Sequence, residues 1–147
     1  MKFEKYQLES DRKLLLFEFT SIGPKGKIKK IVQYTETNLK DYYNMGFGDK
    51  DETTGEIDDE VITNNGDSQK ILATVASTVY AFTDKYPDAM IYAKGSNIAR
   101  TRLYRMGITN NLVEIQKDFL VFGLKDDEWH EFRIHTDYQA FLIMRKI

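Results

Sequence analysis

The stretch from Ser68 to Lys85 constrains this chain more than any other. Ile71, Leu72, Val75, Ala76, Val79, Phe82 and Tyr86 recur at three- and four-residue intervals, so they share one face of a helix. Lys70, Thr74, Ser77, Ala81 and Asp84 fall opposite. Asp67 or Ser68 is a natural N-cap, and Pro87 ends the helix because its ring and missing N–H cannot continue it. A helix apolar on one side needs a surface to cover, and the flanking segments supply strands.

Upstream, Leu14–Phe19 is a short apolar run that predicts a buried strand. Gly23-Pro24-Lys25-Gly26 is a turn, and Ile28–Tyr34 predicts a half-exposed partner strand, together a hairpin. Tyr42–Gly48 predicts a third strand, whose glycines suggest a bulge or close backbone approach. Glu56–Ile62 is expected to hold a short edge strand. Downstream, Ala89–Ala93 predicts a short strand and Ile98–Met106 a second helix, closed by Gly107 in a left-handed position. Leu112–Phe119 predicts a third helix capped by Thr109. Leu120–Leu124 and Trp129–Ile134 flank the hairpin loop Lys125–Glu128, and Tyr138–Ile143 is too short to assign by periodicity. Strands, then α-β-α, then strands is an α+β pattern with an antiparallel sheet, expected as a single domain over residues 1–147.

A chain of 147 residues buries roughly 70% of its unfolded surface without needing staples. The absence of cysteine excludes disulfides, thiolate metal sites and thiol nucleophiles, and suits a cytoplasmic location. Met1–Lys5 shows no signal-peptide pattern, and the longest apolar runs, such as Phe141–Met144, are too short for a bilayer, so no membrane partner is expected. A net charge of −2 argues against a strongly basic nucleic-acid binder. The charge is uneven, however. Residues 49–60 hold seven acids and one lysine, while Lys94, Arg100, Arg102 and Arg105 are one basic group and Lys25, Lys27, Lys29 and Lys30 another. These are separate acidic and basic surfaces, or patches that meet and neutralise each other.

Ligand-binding candidates cluster at two polar helix entrances. At Lys94-Gly95-Ser96-Asn97, backbone N–H groups, the Ser96 hydroxyl and Lys94 could receive an anion, and Arg100 or Arg102 could give it a bidentate contact. On a helical wheel Ala99, Leu103 and Met106 form the expected core face, with Arg102 and Arg105 on one neighbouring face and Arg100 and Tyr104 on another. The alternative is that Ser96 or Asn97 merely caps the helix and the arginines pair with acids such as Asp58 or Asp59. Asn64-Asn65-Gly66-Asp67 is the second entrance, whose backbone amides could face the same ligand, although turn chemistry and capping account for each residue there. Asp49, Asp58 and Asp59 could hold Mg²⁺, but their spacing matches no metal loop, so no metal or cofactor is expected. His130 and His135, the two histidines, form no catalytic pattern. Tyr42, Tyr43 and Tyr104 are the tyrosines that could stack on a base.

Asn64–Asp67 followed by Lys70–Ala76, then Gly95-Ser96 with Ala99–Arg105, and the late Ala140–Ile143 resemble a family of small uncharacterised Bacteroidota proteins carrying a domain-of-unknown-function label. That resemblance implies a compact α+β domain and no particular activity. Asn97, Ala99, Leu103-Tyr104 and Gly107 are also similar to the late helix of Gcn5-related N-acetyltransferases, which would imply coenzyme A as ligand. Against that pattern, the gap to Gly107 is one residue short, the turn before Ser68 has one glycine, and no helical pair follows the first strand.

Three functions follow as expectations. A non-enzymatic binding module, holding an anionic or protein partner on the arginine helix, needs Arg100, Arg102 and Arg105 exposed and unpaired. A nucleotide- or RNA-directed activity, such as a toxin-type ribonuclease, needs Tyr104 beside the arginines and a base such as Asp67 or His130 in reach. An acyltransferase needs a splayed strand pair beside Asn64–Ser68. The lack of a recognisable nucleophile, metal set or phosphate loop places binding first.

Overall fold

A computed structural model describes residues 3–58 and 62–146. In chain order the elements are β1 (Glu9–Ser10), β2 (Leu16–Gly23), β3 (Gly26–Glu36), β4 (Tyr42–Asp49), α1 (Ser68–Lys85), β5 (Met90–Ala93), α2 (Ile98–Asn110), α3 (Leu112–Asp118), β6 (Phe119–Lys125), β7 (Glu128–Glu131) and β8 (Ala140–Arg145). The fold is α+β: an N-terminal antiparallel sheet, then helices and further strands. Among the described residues, all eight strands join one sheet in the order β1-β2-β3-β4-β5-β8-β6-β7.

The hairpin closes as its turn residues dictate, with Gly23 opposite Gly26 and Gly26 at φ +91°. Strand β2 begins at Leu16 rather than Leu14. Leu14 has φ +56°, and the Asp11 carboxylate accepts the Leu15 and Leu16 N–H groups (2.9 and 3.1 Å), which holds a turn there. At the far end, Asp126 and Asp127 both take positive φ (53° and 61°), the geometry a two-residue hairpin favours. Strand β7 stops at Glu131, short of the expected Ile134. The undecided C-terminal segment is strand β8. Of the expected edge strand at Glu56–Ile62, one bridge remains, Ile57 opposite Lys50, and Asp59–Val61 lie outside the described residues.

One pairing departs from the antiparallel expectation. Strands β4 and β5 are parallel, from Tyr42 opposite Met90 to Met45 opposite Ala93. A parallel neighbour requires a crossover, and α1, whose 18 residues span roughly 27 Å, returns the chain to the start of the sheet.

Alternation along the strands separates the two faces of the sheet. Phe17, Val32, Tyr34, Met45, Phe47, Ile91, Phe141, Ile143 and Val121 share one face and are buried beneath the helices. Helix α1 is buried more widely than its apolar stripe. Thr74, Thr78 and Thr83 are fully buried, their hydroxyls satisfied by the helix's own carbonyls of Lys70, Val75 and Val79. Thr74, expected on the solvent side, also accepts the Tyr6 N–H (2.8 Å), so the N-terminal segment covers that flank.

Lys30 is the largest correction on the sheet. Its side chain is fully buried on the same face as Val32 and Tyr34, where it is ion-paired with Asp49 and donates to the Thr63 carbonyl (2.9 Å). It therefore belongs to no surface basic patch. Among the described residues, no helix is long and apolar enough to cross a membrane.

Candidate functional site

The parallel pair determines where the site candidates meet. Pairing of β4 with β5 stops at Met45 and Ala93, while β4 continues to Asp49. The chain leaves both strands at the same end, through residues 50–67 into α1 and through 94–97 into α2. Both helix starts therefore lie outside the carboxyl ends of parallel strands, where open sheets commonly bind ligands.

Two clefts flank the start of α2. The first, about 610 Å³, is lined by Lys94, Gly95, Ser96, Asn97, Arg102 and Arg105, and also by Asp127 and Asp137. The second, about 540 Å³, is lined by Asn64, Asp67, Ser68, Asn97 and Arg100 over an apolar floor that includes Phe47, Ile71 and Leu103. Asn97 borders both, and its side chain caps α2 by accepting the Arg100 N–H (2.9 Å).

The core face of α2 is Arg100, Tyr104 and Ile108; Ala99 and Met106 are exposed and Leu103 only half-buried. Arg100 is 6% exposed. Its guanidinium crosses beyond β4, where a Cβ on Gly48 would sit 3.3 Å from Nη1, and donates to the Asp58 carbonyl. Gly95 allows this turn, since a Cβ there would meet the Arg100 Cβ and Thr101 N at 2.4 Å. Tyr104 is buried, and its hydroxyl accepts the Phe47 N–H (3.1 Å), which β5 no longer reaches. Burial raises its phenol above the ordinary value. Its ring is core, as is that of Tyr43, while half-buried Tyr42 leans on Tyr92.

The remaining arginines differ. Arg105 is ion-paired with Asp137 and donates to the Thr136 carbonyl (3.2 Å). Arg102 and Lys94 are exposed and make no hydrogen bond or ion pair with described residues. Helix α2 also runs through Gly107 to Asn110. Gly107 is a close-approach position, not a left-handed cap: a Cβ there would lie 3.2 Å from Leu72 Cδ2. Asn111 rather than Thr109 precedes α3, and its amide donates to the Gly107 carbonyl (2.8 Å).

At the other entrance, Asn64 accepts the Gly66 N–H (3.0 Å) and Gly66 has φ +75°. Asn65 is 1% exposed and latches the turn to the β2–β3 hairpin through the Lys25 N–H, the Ser21 hydroxyl and the Gly26 carbonyl. Asp67 occupies the N-cap position of α1 without capping it. One carboxylate oxygen accepts the hydroxyls of Tyr6 (2.5 Å) and Ser21 (2.6 Å), and the other is buried without a partner among the described residues. Desolvation, then the bond to Asp67, raises the Tyr6 phenol.

Among the described residues no three His, Asp or Glu side chains are grouped to hold a metal. Asp49 is committed to Lys30 and to the Thr63 N–H (3.0 Å), and Asp59 lies outside the described residues. His130 and His135 are exposed. The Lys30–Asp49–Thr63 junction was not anticipated from the sequence; its one signal is that Lys30 alternates in phase with Val32 and Tyr34.

Fold and site together define an α+β protein with paired clefts at the carboxyl ends of a parallel strand pair. The chain belongs to a family of unknown function, DUF6934, whose model matches residues 2–146. No curated protein and no solved structure matches it.

Proposed function

We propose that the protein is a non-enzymatic binding module that holds an anionic ligand in the cleft at the start of α2. The observation carrying this reading is that Lys94 and Arg102, both exposed and unpaired among the described residues, converge on one cleft of about 610 Å³. The first N–H groups of α2 have no intrahelical acceptor and favour negative charge there. Arg102 supplies the bidentate donor, while Arg105 is already neutralised by Asp137.

A thermal-shift panel of pyrophosphate, nucleotides, short RNA and acetyl-coenzyme A, run with Arg102→Ala in parallel, tests this. Ligand at 100 times its Kd contributes about 2.7 kcal/mol, a shift of roughly 5–10 °C at this size. The shift should vanish in Arg102→Ala, whose own stability should change by about 0–1 kcal/mol. A shift that survives the substitution places the ligand elsewhere.

A second reading, acyl transfer from coenzyme A, is favoured by one observation. A phenol, Tyr104, and a backbone N–H, Phe47, meet where β4 and β5 part, beside the start of α1. These are groups able to donate to a developing oxyanion and to a leaving group. The reading requires the thioester arm to displace Arg100 and Tyr104 from that gap. A shift with acetyl-coenzyme A that pyrophosphate and ATP do not reproduce supports it, and no such shift removes it. A nucleotide- or RNA-directed activity rests on the same panel, with Tyr104 buried and so unable to stack on a base.

A further inference from the structure

The helices cover one face of the sheet, and among the described residues no helix packs on the other. On that open face, strand register places two apolar rows across β5, β8 and β6. Tyr92, Leu142 and Phe122 form one, and Met90, Met144 and Leu120 the other. None of these side chains is buried, and Leu120 is 42% exposed. Trp129 on β7, 40% exposed, leans edge-on against Tyr92 (6.1 Å) and extends the patch. Not one of these seven residues carries a charge. Soluble monomers rarely leave so continuous an apolar surface bare.

We propose that this face is the interface of a homodimer, covered by the same face of a second copy. Two observations favour a copy over a different partner. First, an isologous contact sets a patch against itself, and an uncharged patch cannot repel itself. Second, a twofold axis lying along β8 sets β5 over β6 and β4 over β7. Tyr92 then faces Phe122, Met90 faces Leu120, and Leu142 meets its own mate. At the rim of that row Glu131 faces Asn44, a carboxylate against an amide, so no like charges meet along it.

The extent fits. Five strands spaced about 4.8 Å apart and some six residues long give a flat area on the order of 450 Å². That is somewhat more than half of the roughly 800 Å² per partner of a standard interface, which places the contact at the small end of the range. Two such faces would stack as sheets do in sandwiches, about 10 Å apart.

Sedimentation equilibrium on the full chain tests this. The parent should run at twice its 17.2 kDa mass at micromolar concentration. Leu120→Glu and Trp129→Glu should each weaken the dimer by ~100-fold or more, because a twofold contact doubles every introduced charge. Both positions are partly exposed, so the variants should stay folded by circular dichroism; if one does not, the other decides. Val113→Glu, on exposed α3, should leave the dimer intact. A parent that stays monomeric, a dimer indifferent to the charge on the sheet face, or one broken by Val113→Glu would each overturn the proposal.

Discussion

Removing the buried cation Lys30 should be among the most damaging single changes in this protein. Its side chain is 0% exposed and that of its partner Asp49 only 11%. Lys30→Met keeps the aliphatic stem and deletes the charge. Asp49 is left buried with one compensating donor, the Thr63 N–H, and the Thr63 carbonyl loses the ammonium. Breaking a buried pair from one side costs about 3–5 kcal/mol, a large fraction of the roughly 5–15 kcal/mol ordinary for a domain. With a urea slope of about 1–3 kcal/mol/M, the unfolding midpoint should fall by roughly 2 M. The double variant Lys30→Met/Asp49→Leu should recover most of the loss, since replacing both members of a buried pair is often neutral. Urea unfolding followed by circular dichroism measures all four corners of the cycle. A loss below about 1 kcal/mol in Lys30→Met is what an exposed pair gives, and would refute the view that this pair is desolvated and ties residue 63 to the sheet.

Other perturbations probe other parts. Leu72→Ala should lose about 2–5 kcal/mol by cavity formation, since Leu72 is 3% exposed and packs on Gly107; a parent-like denaturation curve would show that the helix face is misassigned. Tyr104→Phe should cost about 1–3 kcal/mol, because it orphans the buried Phe47 N–H, and unchanged stability would mean that water replaces the hydroxyl. Burial pushes the Tyr34 phenol far up and, with help from Asp118, raises Tyr80 to about 12. The folded state therefore holds these protons more tightly than the unfolded one. Stability from them is complete below about pH 10, the ordinary tyrosine value, and is lost as pH rises through the folded values. Urea midpoints measured from pH 9 to pH 12 should fall across that window, and a flat profile would contradict it.

Periodicity sufficed where the stripe or the turn signature is complete within one segment. Helix α1 spans Ser68–Lys85 as its stripe predicts, and the Gly23–Gly26 turn closes the hairpin. Periodicity failed where a polar side chain is buried with a partner far along the chain. Arg100 and Lys30 look like surface cations because the groups that satisfy them, the Asp58 carbonyl and the Asp49 carboxylate, are 42 and 19 residues away. Reading Arg100 as a surface cation turns the expected core face of α2 onto Ala99, Leu103 and Met106, although Arg100, Tyr104 and Ile108 are equally compatible with a helical face. The parallel pairing was equally hidden, because it depends on where α1 returns the chain and not on any pattern within β4 or β5.

The same crossover explains why two turns some thirty residues apart belong to one region. Each follows a strand of the parallel pair at its carboxyl end, so Asn97 can border both clefts. Within α2, position on the wheel then sorts the arginines that look equivalent in sequence. Arg100 points inward and fastens the segment after β4. Arg105, five residues on, reaches Asp137. Arg102 lines the first cleft with no protein partner among the described residues, which makes it the one arginine of the helix whose charge the fold does not already use.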